Sequence, residues 1–343
     1  MSGTLFVWLL LGALFSASAW NWWRVAGRLA RGEPMLRPEP RATEVVAVQA
    51  ALLAIVTALL IPSLCTLGWL RHRGVTPEEY SRQAAALSNN PSDVTSTPEP
   101  VAEPRLFDEL RLIDALARVL TAIAIGIMLN RWLGPSPSLP SMTRRTWTAD
   151  LRLGLAAFVL IVPPVLLVKV GVSRLINTSP LDEAHPLIQR IRAEPGQWTV
   201  FAVVGLSAVV AAPLYEELLF RLVIQGFLQR LDAWRVRHNA RRSDRTSPST
   251  PASQRGALPD GGATENVPTG YWPMLVSAAL FAAVHLGNGI DPLPLFLLGT
   301  GLGYLYRQSN RLLPCVVVHA LLNGLTILQL AAEALDRGLS QVP

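Results

Sequence analysis

Three short polar patterns interrupt apolar stretches in the second half of the chain. Pro213-Leu-Tyr-Glu216-Glu217-Leu-Leu-Phe-Arg221 sets two adjacent carboxylates in a hydrophobic run. Phe281-Ala-Ala-Val-His285 ends a second run on an imidazole, and His319-Ala-Leu-Leu-Asn323 places an imidazole and a carboxamide one turn apart in a third. Successive residues of a helix point about 100° apart, so Glu216 and Glu217 face different surroundings. Glu217 and Arg221 are i and i+4, in the order that favours an ion pair. Glu216 is then left without a local counter-charge, as suits a general base. His319 and Asn323 share one helix face. A carboxylate, two imidazoles and an amide that met in one polar cavity would make a hydrolase-like inventory. The carboxylate would activate water, and preorganised donors would hold the oxyanion that develops.

Each pattern has a plainer reading beside this one. The two glutamates could be solvated charges at a helix end, and His285 an interfacial side chain. His319 and Asn323 could be polar glue between helices. The same residues could hold together a non-catalytic membrane scaffold or an immunity-type protein. Glu and two His are also possible zinc ligands, although no HExxH run occurs. The reading adopted needs no metal and no cofactor. A transporter would call for broken-helix repeats, and no internal repeat is evident. Gly299-Thr-Gly301-Leu-Gly303 reads as a small-residue stripe for close helix packing. Cys65 and Cys315 belong to no CxxC or Cys/His pattern and read as small buried apolar side chains.

The elements that must position these groups are membrane helices. Half of the 343 residues are hydrophobic and 16% are charged, against about 25% in soluble domains. Eight apolar segments, near 5–23, 45–70, 112–133, 153–172, 198–228, 271–286, 293–306 and 312–332, predict an all-α, polytopic bundle of about eight transmembrane helices. The first has no cation before it and Trp20, Trp22, Trp23 and Arg24 at its end, which predicts a retained anchor rather than a cleaved leader. Asp114 and Arg118, at i and i+4 in the third segment, predict a structural ion pair. Pro163-Pro164 predicts a kink in the fourth, and Pro213 could divide the fifth into a span and a half-helix. Residues 71–109 and the Arg-rich 231–268 read as flexible polar loops. The natural division is 1–150, N-terminal helices, and 151–343, a C-terminal catalytic bundle.

The net charge of +6 comes almost wholly from Arg, with Lys169 the only Lys. The arginines of 21–43, 131–152, 231–268 and 307–311 fall on one side of an eight-span bundle, which predicts that side as cytoplasmic. With no basic helix or aromatic-interleaved basic sheet, nucleic acid is excluded as a partner. The expected partners are the bilayer and a membrane-associated protein or peptide.

EExxxR (Glu216, Glu217, Arg221), FxxxH (Phe281, His285) and HxxxN (His319, Asn323) stand in the order and approximate spacing of the CPBP family. These are the CAAX-protease and bacteriocin-processing intramembrane proteins, also called ABI proteins. The chain resembles that family over roughly 198–335, and the 231–268 insertion looks long for it. The resemblance implies a bundle of about eight helices around a conical cavity open to the membrane, in a multi-pass protein of the bacterial cell (inner) membrane. The eukaryotic members look like glutamic proteases that remove three residues after a prenylated cysteine. Carried over by motif position, Glu216 would activate water with help from His285. His319 and Asn323 would orient the water or hold the oxyanion, and Glu217, Arg221 and Phe281 would support them.

Overall fold

The computed structural model describes residues 2–36, 38, 48–79, 104–133, 144–176, 198–246, 270–286 and 291–340. Among them there are eight helices of 12 residues or more and no strand. They are α1 (Gly3–Ala30), α2 (Val48–His72), α3 (Pro104–Leu133), α4 (Arg144–Leu175), α5 (198–246), α6 (Trp272–Ala283), α7 (Pro292–Ser309) and α8 (Leu312–Ser340). They match the eight apolar segments one for one. Six of them, α1 to α5 and α8, are long and apolar enough to cross a membrane. The protein is an integral, multi-pass membrane protein. The two others fall short for physical reasons. Twelve-residue α6 rises only about 18 Å. The apolar run of α7 is diluted by prolines, glycines and its Arg307-Gln308-Ser309 end. These two helices pack on each other, with α6 also against α5 and α7 against α4.

Gly299, Gly301 and Gly303 permit that packing. A Cβ on Gly303 would lie 2.6 Å from Met274 Cγ, one on Gly299 3.1 Å from Ala278 Cα, and one on Gly301 2.9 Å from Ile161 Cγ2. The core they complete contains Ile125 and Leu129 of α3, Val162 of α4, Phe220 and Val223 of α5, Phe281 of α6, Leu298 and Leu302 of α7, and Val318 of α8. Leu59, Leu120 and Leu167 point outward, as side chains facing lipid do. Cys315 is buried as expected. Cys65 is exposed, on a stretch of α2 where Leu60, Leu64 and Leu67 are exposed as well.

Helical prolines fix how the elements meet. A proline within a helix leaves the carbonyl four residues earlier without its N–H donor, and such a carbonyl is expensive to leave bare in hydrocarbon. Pro62 frees the Ala58 carbonyl of α2, and the Tyr215 hydroxyl of α5 donates to it at 2.6 Å. Pro164 frees the Leu160 carbonyl of α4, and the Trp22 indole N–H of α1 donates to it at 2.9 Å. The N-terminal end of α1 is held by α8, where Asp336 accepts from the Gly3 and Thr4 amides at 2.7 and 2.9 Å.

Pro213 does not divide the fifth segment. Helix α5 runs through it as alternating α and π segments: Trp198–Gly205, π Leu206–Ala211, Ala212–Glu217, π Leu218–Gln225 and Gly226–Thr246. The helix from Trp198 to Asn239 is 42 residues long, about twice the roughly 20 that one crossing needs, and its second half is polar. The expected polar loop from 231 therefore starts as helix, and Arg235 and Arg237 lie on its exposed surface. Asp232 anchors this extension, accepting from the Gly270 amide at 2.6 Å and the Trp272 indole at 2.7 Å. Residues 247–269, with Arg255, and 80–103 lie outside the described residues. Helices α7 and α8 are joined by Asn310, in the left-handed conformation (φ 52°) that asparagine tolerates, and Arg311 binds Asp150 of α4 at 2.6 Å.

Candidate active site

Glu217 is fully buried and binds two partners. Arg221 donates to it through Nε at 2.9 Å, the pair expected from their spacing. His319 of α8 donates to its other oxygen through Nδ1, also at 2.9 Å. A carboxylate only accepts, so the hydrogen of a neutral His319 sits on Nδ1. Its Nε2 then faces Glu216 Oε2 at 4.0 Å. One imidazole thus stands between the two adjacent glutamates. The family resemblance implies a place for His319 beside the reacting water or the oxyanion, but its tie to Glu217 spans 102 positions and is not visible in the spacing.

His285 is fixed in the same way. Its Nδ1 lies 2.8 Å from the Phe281 carbonyl, which cannot donate, so a neutral His285 also keeps an unprotonated Nε2. Phe281 explains the aromatic position of its motif. Its ring is fully buried, stands edge-on to His319 with centroids 5.8 Å apart, and lies 5.1 Å from His285. Phe220 meets it edge-on at 5.2 Å, and the Arg221 guanidinium lies 5.6 Å from its centroid. The ring fills the space between both imidazoles and the buried ion pair.

Asn323 has a structural bond of its own. In the first π segment the Ala212 amide bonds to the Ser207 carbonyl, five residues back. In that register the Ala208 carbonyl would pair with Pro213, which has no N–H. Asn323 Nδ2 donates to the Ala208 carbonyl at 2.7 Å. One amide hydrogen is therefore committed to holding α8 on α5. π segments often sit at functional sites, and here two of them flank Glu216 and Glu217.

Glu216, His285, His319 and Asn323 all line one cavity of about 270 Å³. Arg111, Asp114 and Arg118 of α3, Lys169 of α4 and Asp291 line it too. Lys169 binds Asp291 at 2.7 Å, and Arg118 binds Asp114 at 2.8 Å. A second cavity, of about 660 Å³, opens against α2 and shares Asp114, Arg118, Glu216 and His285 with the first. The Asp114–Arg118 pair forms as its spacing predicts. It also lies on the partition between the two cavities, a role that the sequence does not reveal. Among the described residues no three His, Cys, Asp or Glu side chains converge closely enough to hold a metal ion.

The family model described as type II CAAX prenyl endopeptidase Rce1-like matches residues 254–325. The match is consistent with a CPBP family member. It takes in the motifs of His285, His319 and Asn323, and supports a CAAX-type intramembrane peptidase in general. The Glu216–Arg221 motif lies before the matched stretch, and its place in the CPBP pattern rests on the spacing and on the geometry above. No curated protein and no solved structure matches the chain.

Proposed function

We propose that the chain is a metal-independent, glutamic-type peptidase of the bacterial inner membrane that hydrolyses an amide bond in a membrane-associated protein or peptide. One observation carries this reading. Glu216 of α5, His285 in the turn that ends α6, and His319 and Asn323 of α8 line a single cavity, and His319 is held there by Glu217.

Glu216 takes a proton from water while the water oxygen bonds to the scissile carbonyl carbon. The π electrons of the carbonyl move to its oxygen. The tetrahedral oxyanion then collapses, the C–N bond breaks, and the proton passes from Glu216 to the leaving amine. The attacking water gives one hydrogen to Glu216, and an imidazole Nε2, of His285 or of His319, accepts the other and orients it. Glu217 and Arg221 hold His319 in the tautomer this requires, and the free amide hydrogen of Asn323 faces the same reacting centre. A water held between a carboxylate and an imidazole is oriented for attack and loses its proton more readily than in bulk solvent.

The test is cleavage of a panel of membrane peptides, with and without a prenylated cysteine, by purified protein and its Glu216→Gln variant. Removing a general base should lower kcat by about a hundred- to ten-thousandfold. EDTA should leave the wild-type rate unchanged. Equal rates for wild type and Glu216→Gln would sink the glutamate assignment, and loss of activity in EDTA would move the reading to a zinc peptidase.

A further inference from the structure

The polar end of α5 carries charge that the candidate active site does not use. Gly226–Thr246 holds six arginines and two aspartates. One of the aspartates, Asp232, is buried and bonds to the Gly270 amide and the Trp272 indole at the head of α6. At about 100° per residue, positions 230, 234, 237, 241 and 245 all fall within about 40° of the line opposite Asp232. They are Arg230, Trp234, Arg237, Arg241 and Arg245, and Asp244 lies outside that stripe. One face of the helix is thus tied to α6. The opposite face is a row of cations with one indole among them.

We propose that this stripe binds the phosphate headgroups of anionic phospholipids in the adjoining leaflet. The proposal stands whether or not the cavity is a peptidase site. Two observations favour lipid over an acidic protein. The first is height. Asp232 sets this turn of α5 level with the start of α6, where Tyr271 is exposed and its ring lies 4.3 Å from the Arg307 guanidinium. Tyrosine and tryptophan at the end of an apolar helix mark the headgroup layer. The second is the mixed character of the surface. Leu231 and Trp234, three residues apart, are 44% and 62% exposed. Arg235, Arg237 and His238 are exposed around them, and the His238 ring stacks on Trp234 with centroids 5.2 Å apart. Apolar side chains set among arginines suit the boundary between acyl chains and phosphates. An acidic protein would answer the charge and leave the leucine and the indole without hydrocarbon.

Each arginine close to an anionic membrane surface favours binding by about fivefold. A guanidinium that meets a phosphate through two N–H groups adds direction to that attraction. Asp232 ties the same helix to α6, so lipid held on the stripe braces the joint between the helix that carries Glu216 and the helix that carries Phe281.

The experiment titrates purified full-length protein, in micelles of a neutral detergent, with fluorescent phosphatidylglycerol and separately with fluorescent phosphatidylcholine. Wild type should bind the anionic lipid at least about tenfold more tightly, and added salt should narrow the difference. The variant Arg237→Gln/Arg241→Gln/Arg245→Gln should lose the preference, because three factors of about five make roughly a hundredfold. Arg24→Gln/Arg131→Gln/Arg152→Gln removes the same charge from exposed arginines elsewhere and should keep it. If the stripe variant does not fold, Arg237→Gln alone decides, with an expected loss of about fivefold. A stripe variant that keeps the wild-type preference would overturn the proposal, as would an equal loss in the control variant. Soluble oligoglutamate that displaces the lipid and binds as tightly would reassign the face to an acidic protein. Inorganic phosphate that does so would reduce it to a plain anion site.

Discussion

Substituting Glu217→Gln separates the support of the site from its chemistry. The Arg221 guanidinium is fully buried, and Glu217, at 2.9 Å, is the one carboxylate paired with it among the described residues. At that distance, with an effective dielectric constant of about 20, the pair attracts by about 6 kcal/mol. Desolvation of both ions offsets much of this. Removing one partner still strands the other, and a stranded buried charge costs about 3–5 kcal/mol. Equilibrium unfolding in mixed micelles should therefore show Glu217→Gln destabilised by about that amount. The double variant Glu217→Gln/Arg221→Met, which strands nothing, should recover most of the stability. Cleavage should stay low in both, because His319 has lost the carboxylate that fixes its Nδ1 hydrogen. A single variant within about 1 kcal/mol of wild type would refute the reasoning, since Arg221 would then have found solvent or another partner. Full cleavage by the double variant would show that the tautomer of His319 does not depend on Glu217.

Two further outcomes test the packing. Tyr215→Phe leaves the Ala58 carbonyl bare, at a cost of about 1–3 kcal/mol; adding Pro62→Ala returns the backbone N–H and should cancel that cost in a double-mutant cycle of unfolding free energies. Gly303→Ala brings a Cβ to 2.6 Å from Met274 Cγ and 3.0 Å from Gln225 Oε1, and should destabilise the bundle by about 1–3 kcal/mol, read as a lowered unfolding temperature with the cleavage rate per folded molecule little changed.

Much of this arrangement is legible in the sequence, because hydrocarbon imposes harsh rules. All eight apolar segments are helices, since a lone backbone in lipid has no other way to satisfy its polar groups. The i, i+4 pairs Asp114–Arg118 and Glu217–Arg221 form because helix geometry alone brings them together. What escapes the sequence depends on register and long-range contact. Pro213 reads as a break, yet a π segment absorbs it and Asn323 satisfies the carbonyl left over. The Arg run after 231 reads as loop because solvated helix has no apolar stripe, and there Asp232 and Trp272 hold the helix in place. That Asp114 and Arg118 border both cavities is not legible either, because nothing in α3 announces which helices face it. His319 carries the same difficulty: its motif marks a polar face, and only the fold reveals that Glu217 meets it.

The bonds from Tyr215, Trp22 and Asn323 to carbonyls freed by prolines have a consequence for how the bundle finds its alignment. Lipid tails reward one greasy contact about as well as another, so apolar faces alone would let neighbouring helices slide or rotate. A bare acceptor at one height on one helix, and a single donor able to reach it from another, act as a keyed joint. Displacing the two by a residue would leave both polar groups in oil. Each such proline therefore belongs to a pair of positions, and relatives that lose the proline are free to lose the donor with it.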